Sequence, residues 1–236
     1  LWIRRQRQMC IRDRYNNSYE ASSVQAFAAA GDPSLLRVAQ VDYVKPEQMQ
    51  SQEFGYRGKL SRTFTVDAAV YRNDFQDFIN TQVVLSPLYG EVGDGGLSVL
   101  AMANGDFETW SSYTNSPAEI SSWGVSIGAQ TKIFGNFDLS ANYTKSKLEF
   151  EQSLYPDFRT NWNTPEHKIK AQFGNTQLFE NFGFNVAWRY WSEYLWQASF
   201  GDGMVPETHV IDAQFNLTVP KWKSVIKVGA TNLGGE

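Results

Sequence analysis

Apolar and polar residues alternate with a period of two from about residue 52 to the end of the chain. In the segment 182–190, for example, Phe184 and Val186 fall on one side, whereas Asn185 falls on the other. Because successive side chains of a β-strand point to opposite faces, this pattern predicts strands that each carry one apolar face. Eight segments have this pattern: 53–60, 64–71, 123–130, 137–144, 168–173, 182–190, 211–218 and 226–230.

The connections between the predicted strands alternate strictly between short and long. The short ones are 61–63, 134–136, 175–181 and 220–223, and the long ones are 81–120, 151–165 and 199–207. An outer-membrane barrel has short periplasmic turns at one end and longer extracellular loops at the other. We therefore predict an all-β fold, an antiparallel up-and-down transmembrane β-barrel fragment whose apolar faces form a band about 25 Å tall.

Aromatic residues concentrate near the ends of the predicted strands. Five of them crowd the outer half of the sixth strand: Trp188, Tyr190, Trp191, Tyr194 and Trp196. Trp222 lies in a short turn between two lysines. Trp and Tyr prefer the boundary between lipid and water, so these positions predict aromatic girdles at both rims.

Composition excludes two other classes of protein. The chain is 42% hydrophobic and 19% charged, and it lacks the run of about 20 apolar residues that a membrane-spanning helix needs. The net charge is −4 and the Lys and Arg residues are scattered, so nucleic acid is not an expected partner.

The sequence contains no pattern typical of catalysis, so we expect no enzyme activity, no cofactor and no metal site. Cys10 is the single cysteine, and His167 and His209 begin strands that are not neighbours in a meander. We interpret both histidines as polar residues at the membrane interface. The glycine-acid clusters at 93–96 and 201–203 are interpreted as loop turns.

The N-terminal part differs from the rest of the chain. Residues 1–14 resemble translated sequencing-adapter sequence and lack the apolar region of a signal peptide, so we expect them to be non-native. The stretch 24–40 predicts a short helix before a turn at Gly31-Asp32-Pro33, in an extracellular loop.

Four short motifs resemble those of TonB-dependent receptors. Lys45-Pro46-Glu47 with 53–58 (EFGYRG) is similar to the pattern PE…E-x-G-Y-(K/R), and 70–79 (VYRNDFQDFI) is similar to Y-x-N-x-(Y/F)-x-D-x-I. The segment 163–168 (NTPEHK) is similar to N-x-P-x-H, and 229–233 (GATNL) is similar to an N-L pair near the C-terminus of the barrel. Their order and spacing span almost the whole chain after Lys45. The form of these motifs is most similar to that in receptors of the Bacteroidota type.

This resemblance implies a barrel of about 22 strands that is filled by an N-terminal plug. Such a receptor takes up a scarce nutrient, of the siderophore, cobalamin or oligosaccharide class, across the bacterial outer membrane with energy delivered by TonB. The expected partners are outer-membrane lipid, the protein's own plug domain, TonB, a small nutrient ligand and a surface lipoprotein. Residues 15–236 would then form part of the barrel, with the plug and the last strand absent. Eight strands cannot close this barrel, so we expect an open sheet with two unpaired edges.

Two sets of residues are candidates for functional contacts. Aromatic residues in the long loops are candidates for substrate binding: Trp110, Tyr113, Tyr155, Phe158, Trp162 and Phe200. Charged residues on the polar faces of the strands are expected to line the lumen: Arg57, Lys59, Asp67, Lys168, Lys170, Arg189, Asp212 and Lys227.

Two alternatives fit parts of the pattern. Eight strands can also close into a small outer-membrane barrel with a structural or adhesive role. A soluble carbohydrate-binding β-sandwich would alternate in the same way, with its apolar faces packed between two sheets.

Overall fold

A computed structural model describes residues 17–93, 96–198 and 201–234. The prediction for residues 1–14, the turn at 94–95 and Phe200 therefore lie outside the described residues. In chain order the strands and helices are β1 (Tyr19–Glu20), α1 (Ala21–Ala30), β2 (Gln48–Lys59), β3 (Thr65–Gln76), β4 (Ile79–Pro87), α2 (Leu97–Asn104), β5 (Phe107–Asn115), β6 (Ile120–Ile133), β7 (Phe137–Glu149), β8 (Phe158–Arg159), β9 (His167–Phe179), β10 (Phe182–Trp191), β11 (Tyr194–Ala198), β12 (Gly201–Val205), β13 (Thr208–Val219) and β14 (Ser224–Ala230). Neither helix in the described part of the chain is long and apolar enough to cross a bilayer.

Eight strands form one antiparallel sheet, which we call the wall. Its order is β14-β13-β10-β9-β7-β6-β3-β2, so that every strand pairs with its neighbour in the meander. The two edge strands do not pair with each other, and Phe54 and Ile226 lie on opposite edges. The predicted count of eight strands and the open sheet are therefore confirmed. A closed eight-stranded barrel would need β2 to pair with β14, which the order excludes.

The register places the predicted apolar residues on one face of the wall. Val70 pairs with Val125, and Phe184 pairs with Phe215. Ile127 is 49% exposed and Phe215 is 50% exposed, and within the described residues no second sheet covers this face. Apolar side chains in this position need lipid as their partner, so the sandwich alternative does not fit. We call this the outward face.

The other elements lie at the extracellular end and form a loop layer, built from β1, β4, β5, β8, both helices and the paired strands β11 and β12. β4 pairs with β1 on one side and with β5 on the other, and β8 pairs with β4. The buried apolar core of the chain lies in this layer, where Tyr19, Val24, Phe27, Leu85 and Met102 pack together. The predicted helix before Gly31 is confirmed, since α1 ends where Gly31 adopts a φ of 69°.

Three local predictions about the loops were wrong. The connection at 81–120 holds most of β4 together with α2 and β5, because Val84 and Leu85 are buried in a second sheet that is separate from the wall. Tyr194 and Trp196 do not continue the sixth wall strand, since β10 ends at Trp191 and both residues lie in β11. Gly201-Asp202-Gly203 is part of β12, which pairs with β11, and is not a turn.

Candidate functional site

The eight residues predicted to line the lumen share the polar face of the wall. Arg57 pairs with Asp67 across β2 and β3, and Lys170 pairs with Arg189 across β9 and β10. We call this the inward face. Two ion pairs lie on it, Arg57 Nε to Asp67 Oδ2 at 2.7 Å and Arg189 Nη2 to Asp212 Oδ2 at 2.8 Å.

Four of the predicted lumen cations have no ion pair within the described residues: Lys59, Lys168, Lys170 and Lys227. The inward face therefore carries cations that no acid of the described residues neutralises in an ion pair.

Hydrogen bonds between side chains and backbone fasten the loops to one another. Asn163 Nδ2 donates to the carbonyl of Gln197 at 2.9 Å, and the Gln197 N–H donates to Asn163 Oδ1 at 2.7 Å. Gln197 Oε1 also accepts from Thr160 Oγ1 at 3.3 Å and from the Asn161 N–H at 3.2 Å. The side chain of Asn163 thus bonds the backbone of β11 as a neighbouring strand would. It joins the loop before β9 to the pair of strands β11 and β12.

A second fastening joins the loop between β7 and β9 to the start of α1. Asp157 Oδ1 accepts from the Ser22 N–H and Asp157 Oδ2 accepts from Ser22 Oγ, both at 2.7 Å. The carboxylate therefore caps a helix whose own cap residue, Glu20, makes no such bond. Burial raises the pKa of Asp157 above its ordinary value, although the bonds from Ser22 oppose this shift.

Two of the family-like motifs lie where the loops meet the wall. Glu47 Oε2 accepts from the Ile79 N–H at 2.9 Å, so the motif before β2 holds the start of β4. Lys45 and Asn115 exchange two hydrogen bonds, at 2.7 and 3.0 Å, between the backbone of the lysine and the side chain of the asparagine. The motif at 163–168 contains the Asn163 contact with Gln197. These motif residues fix the geometry of the loops.

A recess of about 210 Å³ opens between these fastened loops. Its lining comes from the ends of β7 and β11 and from the loop between β7 and β9: Leu148, Phe150, Gln152, Thr160, Trp162, Thr164, Tyr194, Leu195 and Gln197. None of these residues is charged. β7 and β9 are the two central strands of the wall, so the recess lies far from both open edges.

The structure brings one of the predicted aromatic ligand residues, Trp162, into this recess. Trp110 and Tyr113 lie on β5, and the Tyr113 side chain is 66% exposed. Tyr155 stacks on Phe150 with ring centroids 5.8 Å apart.

Phe158 is only 3% exposed, so its ring has almost no surface for a ligand and instead packs the loop layer. Apart from Trp162, sequence reasoning named none of the residues that line the recess as ligand contacts, because Tyr194 was assigned to the rim of strand six and the others carry no local signal.

The two histidines lie on the outward face beside aromatic residues. His167 Nδ1 is 2.8 Å from the hydroxyl of Tyr143, and Trp188 Nε1 donates to His209 Nδ1 at 3.3 Å. Among the described residues, no three His, Cys, Asp or Glu side chains are grouped so that they could hold a metal ion.

Comparison with known proteins places this geometry in a family. Residues 9–233 match the family described as TonB dependent receptor-like, beta-barrel. No curated protein sequence matches the chain. The similarity to receptors of the Bacteroidota type stays a prediction.

Several solved structures share the fold at low sequence identity. The copper transporter OprC is 16% identical with a TM-score of 0.57, and the match covers 87% of this chain and 28% of that one. The siderophore receptor PiuA from Acinetobacter baumannii is 17% identical with a TM-score of 0.56, over 87% of this chain and 27% of that one. The FrpB iron transporter from Neisseria meningitidis is 14% identical with a TM-score of 0.55, over 83% and 27%. The chain therefore spans between a quarter and a third of the length of these transporters.

Proposed function

Because the chain belongs to the family of TonB-dependent receptor-like β-barrels of the outer membrane, we propose that the protein takes up a scarce nutrient with energy delivered by TonB. The wall contributes part of the barrel, and the loop layer contributes part of the extracellular surface that binds the nutrient. The plug domain, TonB and a surface lipoprotein are proposed partners of the whole protein. The unpaired lysines of the inward face support a contact with acidic groups on the plug.

The proposed class of substrate rests on one observation: the recess is lined by uncharged residues, whereas the loop layer around it is rich in acidic residues. The segments that lie beyond the extracellular ends of the wall strands, 17–47, 77–119, 150–166 and 192–207, contain sixteen Asp and Glu but three Lys and Arg. A surface of one sign lowers the local concentration of ligands of the same sign. An anionic ferric chelate or phosphorylated ligand is therefore disfavoured at these loops.

The lining of the recess favours a neutral ligand with many hydroxyl groups. Trp162 and Tyr194 offer aromatic faces for an apolar ring surface. Gln152 and Gln197 each use one amide atom in holding the loops, and within the described part of the chain Gln152 Oε1 and Gln197 Nε2 make no hydrogen bond. One acceptor and one donor are thus left for hydroxyl groups.

The size of the recess sets how much of the ligand it holds. Its volume of about 210 Å³ is below the range of about 300–1,000 Å³ that is usual for sites of drug-sized molecules. We therefore propose that it binds one ring of an oligosaccharide, and that other extracellular loops bind the remainder. Trp110, Tyr113 and Tyr155 remain proposed contacts at the same surface.

Titration of the full-length protein with a panel of neutral oligosaccharides, ferric siderophores and cobalamin tests this proposal. Trp162→Ala should weaken oligosaccharide binding by about tenfold to a hundredfold, since burial of one aromatic ring contributes about 1.5–3 kcal/mol. Trp222→Ala is the matched control, because Trp222 is 72% exposed in a turn at the opposite end of the wall. Binding of an anionic siderophore alone would refute the substrate class. Accumulation of the nutrient in cells without TonB would refute the proposed transport.

A further inference from the structure

Charged residues on the outward face of the wall are confined to its extracellular end. In the eight strands the outward positions carry five Lys, Arg, Asp and Glu residues, and all five lie on β3 and β7: Arg72, Asp74, Lys145, Lys147 and Glu149. Every other charged residue of the wall strands is on the inward face. The outward face is therefore uncharged over most of its height and charged in a short belt above it.

The cations of this belt surround one tryptophan. Trp123 on β6 pairs with Arg72 on one side and with Lys147 on the other. Lys145 Nζ lies 5.3 Å from the centroid of the Trp123 ring, a distance typical of a cation–π contact. Neighbouring strands are about 4.8 Å apart, so the cations of β3 and β7 are within about 10 Å of each other.

Two of the three cations in the belt are paired with carboxylates, and the third, Lys147, is not paired in the part of the chain that the structure describes. Arg72 Nε donates to Asp74 Oδ1 at 3.0 Å, and Lys145 Nζ is 3.1 Å from Glu166 Oε1. Both contacts leave further N–H groups of the cations available. Lys147 is exposed and has no ion pair within the described residues. Asp74 and Glu149 lie one outward position nearer to the extracellular end, so positive charge comes first above the apolar band.

The height of the belt matches the headgroup region of a bilayer. Trp123 is ten residues from Ile133, the outward residue at the periplasmic end of β6. Ten residues of a strand rise about 33 Å, and a tilt of about 40° reduces this to about 25 Å along the bilayer normal. The apolar band of such barrels is also about 25 Å tall. The cations therefore lie where acyl chains end and headgroups begin.

We propose that Arg72, Lys145 and Lys147 form a binding site for the phosphate groups of an anionic glycolipid in the outer leaflet. Phosphates attached next to the acyl chains would meet the cations first, and Arg72 and the two lysines supply charge-assisted donors. Trp123 would hold the apolar part of the headgroup and orient Lys145. Asp74 and Glu149 lie on the aqueous side of the cations and repel an anion that approaches from water. A phosphate that reaches the cations from within the lipid layer avoids these acids.

The test compares diphosphorylated lipid A with its dephosphorylated form, each added to the full-length protein in a neutral detergent. The double variant R72Q/K147Q should bind the phosphorylated lipid about thirtyfold more weakly, from about 1 kcal/mol for each cation near an anionic surface. The dephosphorylated lipid should bind both proteins equally. The matched control is K170Q/K227Q, which removes two cations from the inward face and should leave lipid binding unchanged.

Heat-modifiable gel migration checks that each variant is folded. Inorganic phosphate is added as a competitor to test whether the site binds the free anion. Competition by inorganic phosphate at equal concentration would overturn the assignment to lipid. Equal affinity of the wild-type protein for the two lipids, or equal losses in the outward and inward variants, would overturn the proposal itself.

Discussion

Replacing Val186 by arginine should destabilise the barrel by about 2–4 kcal/mol, because a charge would enter the middle of the lipid-facing band. Val186 is four residues from both Phe182 and Tyr190, the outward residues nearest the two ends of β10. Four residues rise about 13 Å along a strand, or about 10 Å along the bilayer normal once the tilt is included. Val186 is also 37% exposed in a position where only lipid covers it.

The assay is the urea dependence of the folded fraction of the full-length protein in lipid vesicles, read from heat-modifiable gel migration. Asn185→Arg is the matched control, since this residue is adjacent but inward. Asn185 Oδ1 accepts a hydrogen bond from Gln172 Nε2 at 2.8 Å, and its loss should cost about 0.5–1.5 kcal/mol. Equal penalties at the two positions would refute the assignment of the faces.

Two further predictions concern the loop layer and the edges of the wall. Asp157→Ala should lower the stability of α1 by about 0.5–2 kcal/mol through loss of its cap, as measured by amide protection factors, whereas Asp157→Asn should retain most of it. Because the pKa of Asp157 is raised above 3.8 in the folded state, protection of α1 should fall as pH rises from 3.8 through the raised value and then stay constant. A rise over that interval, or the same dependence in Asp157→Asn, would contradict this reasoning. Residues 15–236 alone should aggregate in detergent without a heat-modifiable band, since β2 and β14 leave unpaired backbone groups.

The wall could be predicted from the sequence because each of its strands faces the same two environments. Lipid on one side and a polar interior on the other impose alternation on every strand independently of its partners. The residues of β6, for example, alternate without any information from β3 or β7. Neighbours in the chain are also neighbours in the sheet, so the order of the strands followed from the order of the segments.

The loop layer was not predicted because its pairings join distant parts of the chain. Tyr19 pairs with Leu85, and Thr81 pairs with Arg159, over separations that no local pattern reports. No residue of β4 is fully exposed, so the run Val83–Leu85 does not alternate between apolar and polar residues. The same holds for the recess, since Trp162 and Tyr194 line it together in a structure in which Asn163 joins the loop before β9 to β11.

The fastenings of Asn163 to Gln197 and of Asp157 to Ser22 limit how new specificities can be built or acquired in this protein. A loop that is bonded to two others cannot be exchanged alone, because its removal leaves partly buried hydrogen-bonding groups of the others without partners. Recombination should therefore succeed when the segments 17–47, 77–119, 150–166 and 192–207 are transferred as one block. The wall, whose strands meet lipid and lumen in the same way throughout, should accept such a block wherever the bases of the loops match.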